Sequence, residues 1–357
     1  MKSRSSNHPT AVRSFSPHRL ESAFQIAAAL FTALLLVSMD TAPAAAQKVP
    51  GHLKIAFTST QHANCPNDPG SACDLDEQYG ELYIMNRNGS DQTRITFDNL
   101  REIGVAWSPD GTKIAYHSPV NGPPQIFLMN PDGTGQTQLT NMAVGAQFPD
   151  WSPDGTRIAF QTPLITVTIG GTTYMYRDIF VINADGTGLG PLTHNEMSNN
   201  RDIRPAWSPD GQEIAFQSNR NGNAEIYVMD AHGSILRRLT FDSKFDEAPD
   251  WSPDGSKIVF QKRDKADLSS HSEIWVMNAD GTGPMPLTST GSPTRNLDPA
   301  WSPDGRYIAF DSDRDFAEEG IRQVWVMNAD GTNQKSLTSL PGENGHAGWG
   351  WEADVEP

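Results

Sequence analysis

Five residues before each of six recurring tryptophans, at positions 107, 151, 207, 251, 301 and 349, stand Glu102, Ala146, Asp202, Asp246, Asn296 and Asn344. All but the alanine are carboxylates or amides, so the set can act as a ring of acceptors for a cation or for the donor groups of a peptide or sugar. Such short polar side chains also cap their own chain by bonding backbone N–H groups two or three residues on, and both readings stay open here. Arg101, Arg201, Arg204, Arg295 and His346 are interspersed with them as candidate ion-pair partners. The candidate binding residues are therefore Glu102, Asp202, Arg204, Asp246, Asn296, Asn344 and His346. Catalytic signatures are sparse. There is no Gly-x-Ser-x-Gly elbow, and the Asp-Gly-Thr-Gly turns join strands rather than opening helices, which disfavours a phosphate cradle. His52, His62, His117, His194, His232, His271 and His346 show no i,i+4 pairing or other zinc-like spacing. No catalytic residue, metal ligand or cofactor is expected. A divalent cation such as calcium is compatible with the charge, but no Asp-x-Asp-x-Asp-Gly loop calls for one.

The elements that would carry these residues repeat. The pentapeptide WSPDG occurs at 107–111, 151–155, 207–211, 251–255 and 301–305. A period near ~45 residues marks a repeat architecture. Ser-Pro-Asp-Gly meets the demands of a type I turn, with Pro pre-setting φ at the second position and Gly free to take positive φ at the last. The strand that follows alternates Ile and an aromatic ring about a small residue, as in Ile214, Ala215 and Phe216. One face is bulky and the other small, as a sheet packed between two neighbours needs. A third strand of the Ile-Tyr-Val-Met type follows, then an Asn-Ala-Asp-Gly turn and a short segment ending in Leu-Thr. Four strands per repeat make one propeller blade.

Counting the parts predicts an all-β, six-bladed propeller. The second strand, third strand and Leu-Thr or Ile-Thr ending each occur six times, whereas WSPDG occurs five times. Trp349 follows Thr338 by the same gap that separates Thr140 from Trp151, so the C-terminal segment is expected to supply the inner strand of the first blade. Pairing the two chain ends in one sheet closes the ring and leaves no free edge at the seam. The blades are expected at 52–96 plus 345–355, 104–140, 148–193, 204–240, 248–288 and 298–338. With these motifs in place the chain resembles the propeller of the TolB family, whose repeats carry the same WSPDG–IAF–IYVMNADG–LT pattern. The resemblance covers nearly all of residues 52–355. It departs from TolB proper in lacking the α/β domain expected before the propeller, so the role of TolB in the Tol–Pal complex carries over only in part.

Residues 1–46 read as a signal peptide and 47–357 as the propeller. Lys2, Arg4, Arg13 and Arg19 form a basic leader, residues 23–38 are apolar and uncharged, and Ala44-Ala45-Ala46 precedes Gln47 as a cleavage signal. The apolar run falls short of the ~20 residues of a spanning helix, so no stable membrane insertion is expected after cleavage. The product is expected to be periplasmic or secreted, and monomeric. Without that segment, 23 Lys and Arg stand against 41 Asp and Glu, a formal charge of −18. Such a surface repels phosphate backbones, which argues against nucleic acid. Cys65 and Cys73, the only cysteines, fall in one long loop and in an exported chain are expected to form a disulfide.

Propeller geometry places the SPDG and NADG turns on one face and the second-to-third strand loops and blade crossings on the other. The latter differ between repeats, in 59–80, 163–176, 262–272 and 311–322, and varied loops on a fixed scaffold are where binding chemistry is placed. The sequence therefore points to a non-catalytic envelope propeller binding an envelope protein or cell-wall component through this face. The alternative is a glycan lyase or hydrolase with a metal-assisted site at the channel mouth. His117, His194 and His346 map to the loop face, and some pectate-fragment lyases that resemble this repeat bind metal there.

Overall fold

The SPDG turns fold as their residue types demand. Each Ser Oγ donates to the Asp Oδ1 two residues on, at 2.6 Å in Ser208–Asp210 and 2.7 Å in Ser302–Asp304. The turn glycines Gly111, Gly155, Gly211, Gly255 and Gly305 take φ of 69–72°, which favours glycine because it lacks a Cβ. In the computed structural model these turns link six four-stranded antiparallel sheets. The structure describes residues 52–60, 80–98, 100–120, 122–234, 236–264, 270–316, 321–339 and 342–352. No helix among the described residues is long and apolar enough to cross a membrane. The proposed leader and Cys65 and Cys73 lie outside the described residues.

The inner strands of blades 1 to 6 are Asn344–Glu352, Ile103–Trp107, Gln147–Trp151, Asp202–Trp207, Phe245–Trp251 and Asn296–Trp301. Blade 1 is assembled from both ends of the propeller: Asn344–Glu352 pairs with His52–Ser59, with Trp349 opposite Ile55 and Asn344 opposite Ser59. The ring therefore closes as the count of motifs predicts. Blade 3 carries an additional hairpin, Ile165–Ile169 with Thr172–Tyr176, turning at Gly170 and Gly171.

The apolar core lies between blades. Ala206, Ala215, Ile226 and Val228 of blade 4 pack against Trp251, Ile258, Phe260 and Met277 of blade 5. This is the small face of one sheet receiving the bulky face of the next, and the Ile-Ala-Phe alternation encodes it. The same arrangement spans the seam, where Phe57 and Trp349 meet Ala309 and Val326 of blade 6.

The Leu-Thr ending also has a physical reason. In every blade the Thr hydroxyl accepts the N–H of the third strand and donates to the acid or amide that begins it. In blade 4, Thr240 Oγ1 accepts from Ile226 N at 2.9 Å and donates to Glu225 Oε2 at 2.6 Å. Thr96, Thr140, Thr193, Thr288 and Thr338 do the same with Glu81, Gln125, Asp178, Glu273 and Gln323.

Candidate functional site at the channel mouth

Each inner strand is interrupted by a bulge. Pairing with the second strand shifts register between Ile203 and Ala206, for example, and the same irregularity recurs in every blade. Three residues before the repeat tryptophan, the backbone turns to positive φ: Gly104 at 68°, Phe148 at 53°, Arg204 at 55°, Ala248 at 49°, Asp298 at 48° and His346 at 53°. Positive φ is unfavourable for a residue with a Cβ and persists only where the surroundings enforce it. At the five non-glycine positions the enforcing group comes from the second strand of the preceding blade. Gln161 Oε1 accepts from Arg204 N at 2.8 Å, Gln261 Oε1 from Asp298 N at 2.9 Å, and Asp311 Oδ2 from His346 N at 2.9 Å. His117 Nδ1 takes the N–H of Phe148 at 3.3 Å and Gln217 that of Ala248 at 3.4 Å. A Cβ on Gly345 would lie 2.4 Å from Asp311 Oδ2, so that position needs glycine for the acceptor to approach.

The six bulge residues line an open cavity of about 220 Å³ on the propeller axis, walled by Pro149, Pro205, Pro249 and Pro299. Four of them carry the chemistry. Asp298 lies between Arg204 and His346, with Oδ1 3.1 Å from Arg204 Nη2 and Oδ2 3.1 Å from His346 Nδ1. The Arg204 guanidinium also stacks on Phe148, 3.8 Å from the ring centroid, a cation–π contact. Burial pushes the Asp298 carboxyl up, but Arg204 and His346 outweigh it and hold the group well below the ordinary carboxylate range. Burial keeps His117 neutral, its pKa lowered to about 3, as an acceptor for Phe148 N requires. Asp298, Asp311 and His346 bring their ligand atoms within 4.8 Å of one another. The Arg204 and Arg322 guanidiniums already act on these carboxylates, so this cluster is furnished with cations of its own.

The axis holds a second polar pair. Asp150 and Asp250, one residue before their tryptophans, line the same cavity. Each accepts a backbone N–H from the next blade's tryptophan, Trp207 at 2.7 Å and Trp301 at 2.6 Å. Burial pushes both carboxyls up to about 7.

Residues 72–163 and 149–270 match the TolB beta propeller domain family, together more than half of the chain. The chain belongs to the TolB beta propeller domain family. A protein TolB homolog of Chlorobium luteolum is 30% identical over 152 residues, covering 43% of this chain and 32% of that protein. An uncharacterized peptidase, YuxL, of Bacillus subtilis is 39% identical over 64 residues, 18% of this chain and 9% of that protein. The chain thus spans about a third or less of the length of these curated relatives. Among solved structures, TolB from Acinetobacter baumannii superposes with a TM-score of 0.64 at 21% identity, over 94% of this chain and 74% of that one. Hydrazine synthase from Kuenenia stuttgartiensis gives 0.65 at 15% identity, over 87% and 48%. These likenesses show the propeller fold.

Within this TolB-family propeller, the structure divides the residues predicted as the site. Arg204 and His346 line the channel. Glu102, Asp202, Asp246 and Asn296 are fully buried and Asn344 is 1% exposed, so the expected ring of acceptors around the mouth does not form from them. Nor do Asn296, Asp202 and Asn344 chiefly cap their own crossings: these three link blades. Asn296 donates to Ser272 O and Glu273 of blade 5 and accepts from Ser312 and Arg314 of its own blade. Asp202 accepts from Asn195 at the blade 3 crossing and from Arg220, and Asn344 donates to Gln323 of blade 6. His194 is exposed beside Glu196 and is not among the channel-lining residues. Phe148, Asp298 and the two axial carboxyls are residues that sequence reasoning missed. The signal was a spacing rather than a shared side-chain chemistry: Phe148 and Asp298 stand three residues before a tryptophan and are followed by Pro, and Asp150 and Asp250 stand one residue before theirs.

Proposed function

We propose that this chain is an exported, non-catalytic propeller that binds a polypeptide segment of a cell-envelope protein at the channel mouth. The observation that carries the reading is the ring of enforced bulges, which presents Phe148, Arg204, Asp298 and His346 in one cavity. An aromatic face, a guanidinium, a carboxylate and an imidazole offer stacking, donor and acceptor functions at fixed positions, which suits the mixed chemistry of a peptide. Backbone strain held by side chains from the preceding blade supplies preorganisation, and preorganised sites lose less ordering entropy on binding. Membership of the TolB family and likeness to TolB homologues support an envelope location and a protein partner.

The double variant Arg204→Ala/Asp298→Ala removes an ion pair without changing net charge. Affinity capture from envelope extract should recover a partner with the native protein and lose it with this variant, the two proteins having melting temperatures within a few degrees of each other. Recovery of the same proteins by both would sink the reading.

A further inference from the structure

The blades can be compared at one equivalent place, the crossing that enters each inner strand. In blade 4, Arg220 Nη2 lies 2.7 Å from Asp202 Oδ2. In blade 6, Arg314 Nη2 donates to Asn296 Oδ1 at 2.8 Å, and in blade 5 Lys262 Nζ lies 3.3 Å from Asp246 Oδ1. The chain thus supplies a cation to each of these buried groups. In blade 2 the equivalent of Arg220 and Arg314, counted from Ile114, Ile214 and Ile308 of the second strands, is Val120. Glu102 is fully buried there, and among the described residues neither of its carboxylate oxygens has a hydrogen-bond partner. Ser118 Oγ, at the position that in blade 4 pairs with Asp202, also lacks one among the described residues.

In place of a cation, blade 1 contributes more acid. Glu81, Asp98 and Glu102 bring carboxylate oxygens within 4.8 Å of one another. Arg94 Nη2 pairs with Glu81 at 2.6 Å, and the Thr96 hydroxyl gives its proton to Glu81 Oε2 at 2.8 Å. Among the described residues, one guanidinium against three ionised carboxylates leaves two negative charges. We infer that Glu81, Asp98 and Glu102 form a binding site for a divalent hard cation, calcium being the ion such an oxygen-only donor set suits, which joins blade 1 to blade 2. Asp98 is exposed and gives the ion its way in. The competing arrangement is a proton on Glu102, whose carboxyl burial pushes up to about 8; it predicts no response to calcium.

The test uses the full chain dialysed against chelator, at pH 8.5, with calcium chloride as the probe in calorimetric titration and thermal unfolding. Expected are one site with Kd in the ~10⁻⁵–10⁻³ M range and a higher melting temperature with calcium. Asp98→Asn, at an exposed position, should leave the metal-free melting temperature within a few degrees and weaken calcium by about tenfold or more, as loss of one ligand charge implies. Val120→Arg should install the cation that blades 4 and 6 carry, raising metal-free stability and abolishing the calcium response. If Val120→Arg does not fold, Asp98→Asn decides alone. Absence of calcium binding by the native chain overturns the inference. So does calcium binding that survives Asp98→Asn unchanged but is lost in Asp298→Asn, because that ion would lie on the channel axis.

Discussion

Asp202 Oδ2 accepts from Arg220 Nη2 and from Asn195 Nδ2, both at 2.7 Å, and the side chain is fully buried. Removing it leaves a half-buried guanidinium and a buried amide without their acceptor, and breaking such a pair from one side costs on the order of 3 kcal/mol. Asp202→Ala should therefore lower unfolding free energy by about that amount, measured by urea denaturation, while leaving channel-mouth binding intact once the protein is folded. A loss of binding without a loss of stability would put Asp202 back among the ligand contacts. The spacing of this residue was legible because five of six equivalents are polar; its role was not, since burial and inter-blade contact leave no trace in the residue type. The true channel ring was hidden for the opposite reason. Gly104, Phe148, Arg204, Ala248, Asp298 and His346 share no chemistry; they share a backbone conformation.

The unit that makes that conformation spans two blades. A second strand supplies an acceptor, and the next inner strand bends onto it, so the mouth of the channel is set by elements remote from it in sequence. Gln161→Leu keeps the volume and apolar stem of the second strand but removes the acceptor for Arg204 N. A part-buried N–H left without a partner costs about 1–3 kcal/mol. The expected outcome is destabilisation in that range together with weaker binding at the channel, because Arg204 is no longer held over Phe148 and against Asp298. If a partner is bound with native affinity by Gln161→Leu, the bulge is not what orders the site. The turns, the strand order and the Leu-Thr ending were readable from sequence because each rests on local residue chemistry repeated five or six times. The bulge was not, because its cause lies in the neighbouring repeat.

At the scale of the whole ring, closure followed from counting strands, but the electrostatics of the axis appear only when the blades are brought together. Burial pushes Asp150, Asp250 and Asp246 up to about 7. A carboxyl whose pKa is raised by folding contributes stability fully below its unfolded value near ~4 and loses it as pH rises through the folded value. Asp298, held low by Arg204 and His346, works the other way: its contribution is present above ~4 and disappears as pH falls through the lower folded value. The two effects place maximum stability of the calcium-free protein near ~pH 4, with a decline from there toward pH 8. Replacing Asp150 and Asp250 by Asn keeps an oxygen acceptor for Trp207 N and Trp301 N while removing the titration. The double variant should match the native protein at and below about pH 4 and exceed it increasingly as pH rises to 8, on the order of 2–4 kcal/mol for each carboxyl. Denaturation profiles of the two proteins across that range decide the matter: parallel curves would mean that the axial carboxyls stay ionised, and that the channel is wetter than their burial implies.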